Sequence, residues 1–566
     1  MNASQKRTLL SAILAAICLA LIWGNLPSNA QSDPTPVLIA GSVFDQQGQP
    51  IRDAQVSLRG KDPEIILSET QTQLSGAYLL DAPAEISEPL TLYIARSHFD
   101  NLEIDLSTED IQNLRGGESV IMADLILDRH ITIAFWIAAL IFIVVLILIA
   151  TGNLHNTLAA LVGASLLYLI SYLGRPINEN LFIFNFQQSL RYIDWNVIFL
   201  IMGMMIVIAV IENTGIFQWL AFTAYRISRG KMVLLLPILM LITGIASAFL
   251  DNVTTMLLMT PISVQIALSL GLNPLVLLIP EVMASNVIGI STLIGTPTNI
   301  LIGSYAKLSF NDFLVNLTPG VLLAFIGLVI YTYLTYRKQL AGSHEFSSLL
   351  LERLEQQAQI TEPDHLKKAG VVGFFMLMLF MFGEHVHMVP AVTALIGATV
   401  LMVWIRPNIE EMIEAVDWTT LVFFMSLFIV VGAIQEVGLI GFIADGIGTM
   451  VGDNLVLAMF VVVWLSAILS TVVANIPFTA AMLPVIGYLT STIPGADNMV
   501  LFYCLSVGSA MGGNGSLIGA SANMVTSGIA ERAGYPITYA YFFKKGFPAL
   551  LITVSLATVW LLIRFN

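Results

Sequence analysis

The sequence predicts an all-α polytopic membrane protein with inverted structural repeats and re-entrant hairpins, preceded by a small N-terminal extracytoplasmic β-sandwich. Three observations carry that expectation: an apolar composition, a series of span-length apolar segments, and a motif pattern that recurs at fixed spacing in two halves. Of 566 residues, 57% are hydrophobic and 11% charged, with a mean hydropathy of +0.83. That much apolar surface cannot be hidden in a water-soluble core, so the lipid bilayer is the first partner. The formal net charge is −14, much of the acid lies in residues 31–130 and in a central linker, and the balance argues against nucleic acid as a partner. Cys18 and Cys504 each lie in an apolar run, which leaves no disulfide framework and no thiolate metal site.

Residues 1–30 read as a signal peptide or signal anchor. Lys6 and Arg7 precede an apolar core from Leu9 to Trp23, and Ser28, Asn29 and Ala30 form a small-x-small cleavage pattern. Either reading places residues 31–130 outside the cytoplasm, and the processing pattern suits a bacterial inner membrane. From about Thr35 to Asp128 apolar and polar positions alternate between turn signals, the pattern of a β-domain. Gly41, Val43, Asp45, Gly48, Pro50, Ile51, Ala54, Val56, Gly76 and Tyr78 resemble the carboxypeptidase regulatory-like β-sandwich. With His98 the only histidine before Arg129, no zinc-ligand spacing exists, and an accessory or docking role is expected.

Beyond Ile131 the chain presents apolar segments long enough to cross ~30 Å of hydrocarbon. Residues 131–336 form a first membrane repeat, with spans expected at 131–150, 154–173, 195–212, 232–250, 257–270, 273–290 and 317–336. Residues 337–369 form a hydrophilic cytoplasmic linker. Residues 370–566 form a second repeat, with spans at 370–383, 388–405, 418–436, 455–472, 479–492, 498–512 and 547–564. Shorter pieces at 215–225, 294–305, 438–451 and 517–530 suit hairpin arms or interfacial helices.

The halves match in register. Asp194-Trp195 corresponds to Asp417-Trp418, Gly215 to Gly438, Ser247 to Ser470, Asn252 to Asn475 and Pro261 to Pro484, all 223 residues apart. With the β-domain outside, Asp194 falls outside and Asp417 inside, so the repeats are inverted. The basic residues agree with that orientation. Arg226, Arg229, Lys231, Arg337, Lys338, Arg353, Lys367, Lys368, Arg406, Arg532, Lys544 and Lys545 fall inside, against Arg175, Arg191, Lys307 and Arg564 outside. Inverted repeats with interrupted helices place a transport site at the bilayer midplane.

Two segments per repeat break the apolar pattern. The first pair lies at 247–255 and 470–479, the second at 291–299 and 512–523. Glycine and proline there remove helix continuity, and the freed backbone groups are tolerable only where protein or a water-lined cavity satisfies them. Freed carbonyls with Asn and Thr oxygens suit a hard cation such as Na⁺, and freed amides suit an anion. An isolated Ser or Thr in a membrane helix commonly serves only packing, but breaks at corresponding places in both repeats single out a site. Asp251 is the sharpest residue. A charge within an apolar span costs at least ~2.5 kcal/mol, so Asp251 must face a cavity or partner, or be neutral by proton uptake. A carboxylate that holds either a proton or Na⁺ is what exchange of the two requires. Its repeat mate is Ala474. Glu281, after Pro280, is a second candidate, with an interfacial carboxylate as the alternative. Glu212 and Glu436 read as helix-end residues, and His155, His385 and His387 as solvated.

Four motifs, FLDNVTT at 249–255, LIGTPTN at 293–299, ANIPFT at 474–479 and GGNGSLIGASAN at 512–523, resemble the ion transporter superfamily. The resemblance is to its branch of arsenite permeases, D-type sodium/proton antiporters and melanosomal P proteins, and it covers Ile131 to Asn566. It implies a citrate-transporter-like permease domain in a homodimer of scaffold and transport domains that works by an elevator movement. Carried over by motif, Asp251, Asn252, Thr254, Thr255, Gly295, Thr296, Thr298 and Asn299 would form one half-site. Asn475, Thr479, Asn514, Ser516, Gly519, Ser521 and Asn523 would form its mate. Na⁺ would sit at Asp251, Asn252 and Asn299 and at Asn475 and Asn523. No cofactor is implied beyond Na⁺ or H⁺ as coupling ion. Dicarboxylate relatives carry Ser-Asn-Thr motifs in both halves, from which Asp251 and Ala474 depart.

Three functions follow as expectations. The leading one is Na⁺- or H⁺-coupled transport of a small inorganic ion, chiefly cation/proton antiport. The second is coupled transport of an anion (dicarboxylate or sulfate) or of arsenite. The third, of another class, is a sensor or receptor using the β-domain. No nucleophile and base constellation points to an enzyme.

Overall fold

A computed structural model describes residues 37–565 except 47, 49, 63–64, 84–88, 153, 230 and 341–359. The expected signal segment at 1–30 and most of the linker lie outside the described residues. The chain divides into two compact units, one ending at His130 and one starting at Ile131.

The first unit contains β1 (Leu38–Asp45), β2 (Gln55–Arg59), β3 (Ile66–Gln71), β4 (Ala77–Asp81), β5 (Thr91–Ala95), β6 (Leu102–Asp105), helix α1 (Thr108–Arg115), β7 (Val120–Ile121) and β8 (Leu125–Leu127). One sheet sets β1 between antiparallel β4 and parallel β7 and β8; the other is antiparallel in the order β3-β2-β5-β6. Period-two alternation turns Tyr78 and Leu80 of β4, and Leu92 and Ile94 of β5, into one core with Val43 and Val56. Two glycines are required by geometry. Gly76 has φ +75°, and a Cβ there would lie 2.5 Å from the Val43 carbonyl oxygen; a Cβ on Gly41 would lie 2.6 Å from the Tyr78 hydroxyl. Burial pushes the Tyr78 phenol up to about 12.

The second unit is helical. Its first half runs α2 (Ile133–Thr151), α3 (Asn156–Gly174), α4 (Phe186–Leu190), α5 (Trp195–Glu212), α6 (Ile216–Ser228), α7 (Met232–Phe249), α8 (Asn252–Ser269), α9 (Leu275–Ile288), α10 (Pro297–Ala306) and α11 (Phe310–Leu340). Its second half runs α12 (Pro363–Phe382), α13 (Pro390–Ile405), α14 (Ile409–Glu414), α15 (Trp418–Glu436), α16 (Leu439–Val451), α17 (Leu455–Val472), α18 (Asn475–Thr492), α19 (Val500–Gly512), α20 (Ser521–Arg532) and α21 (Tyr539–Phe565). Among the described residues, 10 helices are long and apolar enough to cross a membrane.

Each helix of the first half has a counterpart ten places on, and the local stops are the same. Asp194 and Asp417 cap α5 and α15 through their carboxylates. Gly215 and Gly438, at φ +78° and +89°, open α6 and α16. The halves also exchange partners, because α3 packs along α15 while α13 packs along α5, and α8 packs on α20 while α18 packs on α10. Reciprocal contacts of this kind are those of two repeats related by a pseudo-two-fold axis.

Three expected spans, 195–212, 418–436 and 455–472, agree with the helices to the residue. Others fall short. Helices α8 and α18 begin at Asn252 and Asn475 rather than 257 and 479, because the polar residues that end the apolar run are themselves buried and helical. Helices α11 and α12 also extend into the expected linker, to Leu340 and from Pro363.

Candidate ion-binding site

Each repeat contains two breaks that meet. After α7, Leu250 and Asp251 are extended (ψ 160° and 157°) before α8 begins; after α17, Val473 and Ala474 repeat that path (ψ 134° and 138°) before α18. The second break, between α9 and α10, passes through extended Thr292 and Thr296; its mate, between α19 and α20, passes through Ser516 and Ala520. The tip of the first break is packed directly on the second. A Cβ on Gly295 would lie 2.3 Å from the Gly289 carbonyl oxygen and 2.7 Å from that of Ser247, so only glycine fits. Thr292 donates to the Ala248 carbonyl, and its Oγ1 accepts from Gly295 N (3.1 Å). In the mate, Ser516 donates to the Thr471 carbonyl (2.5 Å) and accepts from Gly519 N (3.1 Å). Pro297 stands at the first turn of α10, where its missing N–H costs nothing.

The breaks end in different chemistry. Asp251 caps α8: its Oδ1 accepts from Val253 N and Thr254 N (both 2.9 Å), and its Oδ2 from Thr254 Oγ1 (2.5 Å). Ala474 cannot cap α18, and there the Asn475 N–H is taken by the Gly519 carbonyl (3.1 Å). The Thr296 hydroxyl caps α10 (Asn299 N, 3.2 Å), whereas α20 has no side-chain cap at Ala520.

The candidate residues divide into two groups. Asp251, Thr254 and Ser521 line a cavity of about 380 Å³ together with Glu212, Asp417 and His155. No lysine or arginine is among its lining residues. The others are packed. Asn252, Thr255, Thr296, Thr298, Asn299, Asn475, Thr479, Asn514, Ser516 and Asn523 are all buried. The Asn299 amide donates to the Ile290 (2.9 Å) and Thr292 (2.8 Å) carbonyls, and its oxygen accepts from Ser506 of the other repeat (2.6 Å). Asn523 does the same with the Gly513 (2.8 Å) and Ser516 (2.9 Å) carbonyls. These two amides hold the unwound segments closed. Thr296 and Thr298 hydroxyls pair at 2.9 Å, Thr479 donates to the Asn475 carbonyl (2.7 Å), and the Thr255 hydroxyl has no partner among the described residues.

One residue that joins the candidate site, Asn286, was not singled out from the sequence, and the structure adds to the reading of four others. Asn286 joins the repeats: its oxygen accepts from Asn252 (2.9 Å), and its NH₂ donates to Asn514 (3.0 Å) and Asn523 (3.1 Å). The signal available was Ser285-Asn286 inside an apolar run. Glu212 ends α5 and His155 is exposed, as expected, and both also line the cavity. Glu436 is buried and accepts from the Tyr192 hydroxyl. Glu281 is fully buried rather than interfacial.

A second cavity of about 380 Å³ is lined by Asn196, Gly303, Lys307, Glu384, His387 and Pro390, among others. Ile300 of α10 lines both cavities, so this arm of the broken helix stands between them.

Paired broken helices meeting between two membrane repeats, with a cavity reaching one of the breaks, define a membrane transporter. Comparison with known proteins identifies which kind. Residues 144–501 match the citrate transporter family, and the chain belongs to that family. It is 34% identical over 430 residues to an uncharacterized transporter of Mycobacterium bovis, covering 76% of this chain and 98% of that protein. An uncharacterized transporter of Synechocystis is 31% identical over 450 residues (75% of this chain, 96% of that protein). The human P protein is 30% identical over 630 residues, covering 95% of this chain and 73% of the P protein. The last alignment reaches well beyond the membrane unit.

Proposed function

We propose that this transporter exchanges a small inorganic cation, foremost Na⁺, for protons, with Asp251 as the carboxylate that holds one or the other. The observation that carries this reading is the acidic cavity. Asp251, Glu212 and Asp417 line one space without a lysine or arginine, a lining that concentrates cations and repels anions. Asp251 already accepts three hydrogen bonds, so a bound cation would add to a carboxylate that is held in place. Movement of α10 relative to the helices around it would open the site to one cavity and then the other, which suits an elevator in a homodimer. The β-domain would lie outside the cytoplasm, in a bacterial inner membrane.

A second reading, coupled movement of an anion or arsenite, is favoured by one feature. Helices α18 and α20 start without side-chain caps, and uncapped N-termini offer N–H groups to anions. Reconstitution in liposomes with a trapped pH indicator separates the two. Proton flux is expected on addition of Na⁺ or Li⁺, and none with citrate, sulfate or arsenite. Flux driven by one of the anions and not by Na⁺ overturns the first reading in favour of the second.

A further inference from the structure

Glu281 lies in the middle of α9, two turns before the break, with none of its surface exposed. Two hydroxyls donate to its Oε2, Ser263 Oγ of α8 at 2.8 Å and Thr243 Oγ1 of α7 at 3.3 Å. Its Oε1 has no partner among the described residues. The Thr260 hydroxyl, buried on α8 one turn from Ser263, has none either. Among the described residues no cation is paired with this carboxyl. Helices α7, α8 and α9 carry no other Asp, Glu, Lys, Arg or His. Of the other helices packed on α9, the charged residues of α11, α20 and α21 lie within the terminal two turns. Tyr503 and Cys504 of α19, with the tyrosines of α11 and α21, are groups that carry no charge below about pH 8. A buried carboxyl without a counter-charge takes up a proton rather than remain ionised.

The surroundings connect Glu281 to the site. One turn along α9, the Ser285 hydroxyl donates to the Ser247 hydroxyl of α7 (2.9 Å), and Ser247 is itself one turn from Thr243. The next residue, Asn286, is the joint between the repeats. Buried hydroxyls and amides thus recur at one-turn intervals from Glu281 to the breaks, a polar seam linked in part by hydrogen bonds. The other repeat lacks the acid. At the 224-residue spacing that pairs Ser285 with Ser509, Glu281 pairs with Leu505; Ser466, the mate of Thr243 at the 223-residue spacing, has a buried hydroxyl with no partner among the described residues.

We infer that Glu281 is a second proton-binding carboxyl, separate from Asp251, which holds its proton on Oε1 and exchanges it along the hydroxyl seam of α7 and α9. Oε2, accepting from Ser263 and Thr243, is the carbonyl oxygen of the acid; loss of the Oε1 proton leaves the carboxylate, and its return restores the acid. The role in transport rests on the proton-coupled reading above, but protonation itself does not.

Infrared difference spectroscopy of the purified full-length protein in lipid, between about pH 5 and 10, tests it without transport. The expected result is a protonated-carboxyl C=O stretch that disappears as pH rises, is absent in Glu281→Gln and persists in Asp251→Asn. Survival in Glu281→Gln of the same band that persists in Asp251→Asn, or the absence of any titrating band from folded Asp251→Asn, overturns the inference. Should Glu281→Gln fail to fold, Ser263→Ala carries the test. Losing a donor to Oε2 shifts the C=O stretch of this acid to higher frequency, and an unshifted band overturns the inference. A titrating Glu281 in a protein without Na⁺-driven flux would sink the antiport reading and leave this one standing.

Discussion

At the start of α8 the Asp251 carboxylate accepts from the N–H groups of Val253 and Thr254; at the start of α18 the same position is Ala474, and Pro477 stands where Thr254 does. The two differences belong together. Proline has no N–H to offer a carboxylate at 474, so the second repeat lacks both the acid and one of its donors. Apart from the cap that Thr296 supplies and Ala520 cannot, the rest of the two breaks is shared: the extended residues, the glycine packed on the facing carbonyls, the hydroxyl that ties the segment to the preceding helix, and the asparagine that clasps it. The repeat therefore supplies a scaffold twice and charge once. An ion site made on one side of a pseudo-symmetric frame can differ in affinity between its halves without any change in the fold.

The largest expected effect of breaking this asymmetry is on transport. Asp251→Asn should bring Na⁺-driven proton flux down to the level of protein-free liposomes while the protein still folds, since an amide oxygen can keep the backbone cap. Persistent flux would remove Asp251 from the mechanism. Next in size is the joint between the repeats. Asn286→Ala strips a partner from Asn252, Asn514 and Asn523 at once, and each buried polar group left unpaired costs about 1–3 kcal/mol. A lowered unfolding temperature of the purified protein is the readout.

Smaller, and a direct comparison of the halves, is the glycine pair. A Cβ on Gly295 meets the Gly289 carbonyl at 2.3 Å, but one on Gly519 meets the Gly513 carbonyl only at 2.8 Å. Overpacking costs about 1–3 kcal/mol, and Gly295→Ala should lie toward the upper end of that range and Gly519→Ala toward the lower, measured by thermal unfolding. Equal losses would mean that the two breaks relax alike. The smallest effect is expected from restoring the missing cap. Ala474→Asp alone should add no stability, whereas Ala474→Asp with Pro477→Thr regains both N–H donors and should recover roughly 1 kcal/mol, a typical N-cap contribution.

Much of this architecture was legible in the chain. Span-length apolar runs, the 223-residue spacing and the four asparagine-bearing motifs, two of them with glycine, locate the helices, the repeats and the breaks, because each depends on a few neighbouring residues and on the solvent they require. The candidate list was less discriminating. It placed Asp251, Thr254 and Ser521 beside Asn299 and Asn523, yet the first three line the cavity while the last two have their amides committed to loop carbonyls. Glu212 and Asp417 gave no sign of sharing a cavity with Asp251, since they lie on helices far apart in sequence.

The chain alone thus determined that this is a membrane protein of two repeats, where its helices stop, and that one half-site carries an acid the other lacks. Those properties are local, set by hydropathy, by caps and by residue identity at matched positions. Tertiary structure decided which polar groups reach water and which reach each other: that Asn286 bridges residues more than 200 positions apart, that three carboxylates meet in one cavity, and that Glu281 is sealed among hydroxyls. The reason is the helix itself, whose rotation about its axis is fixed by its packing partners and not by its own sequence.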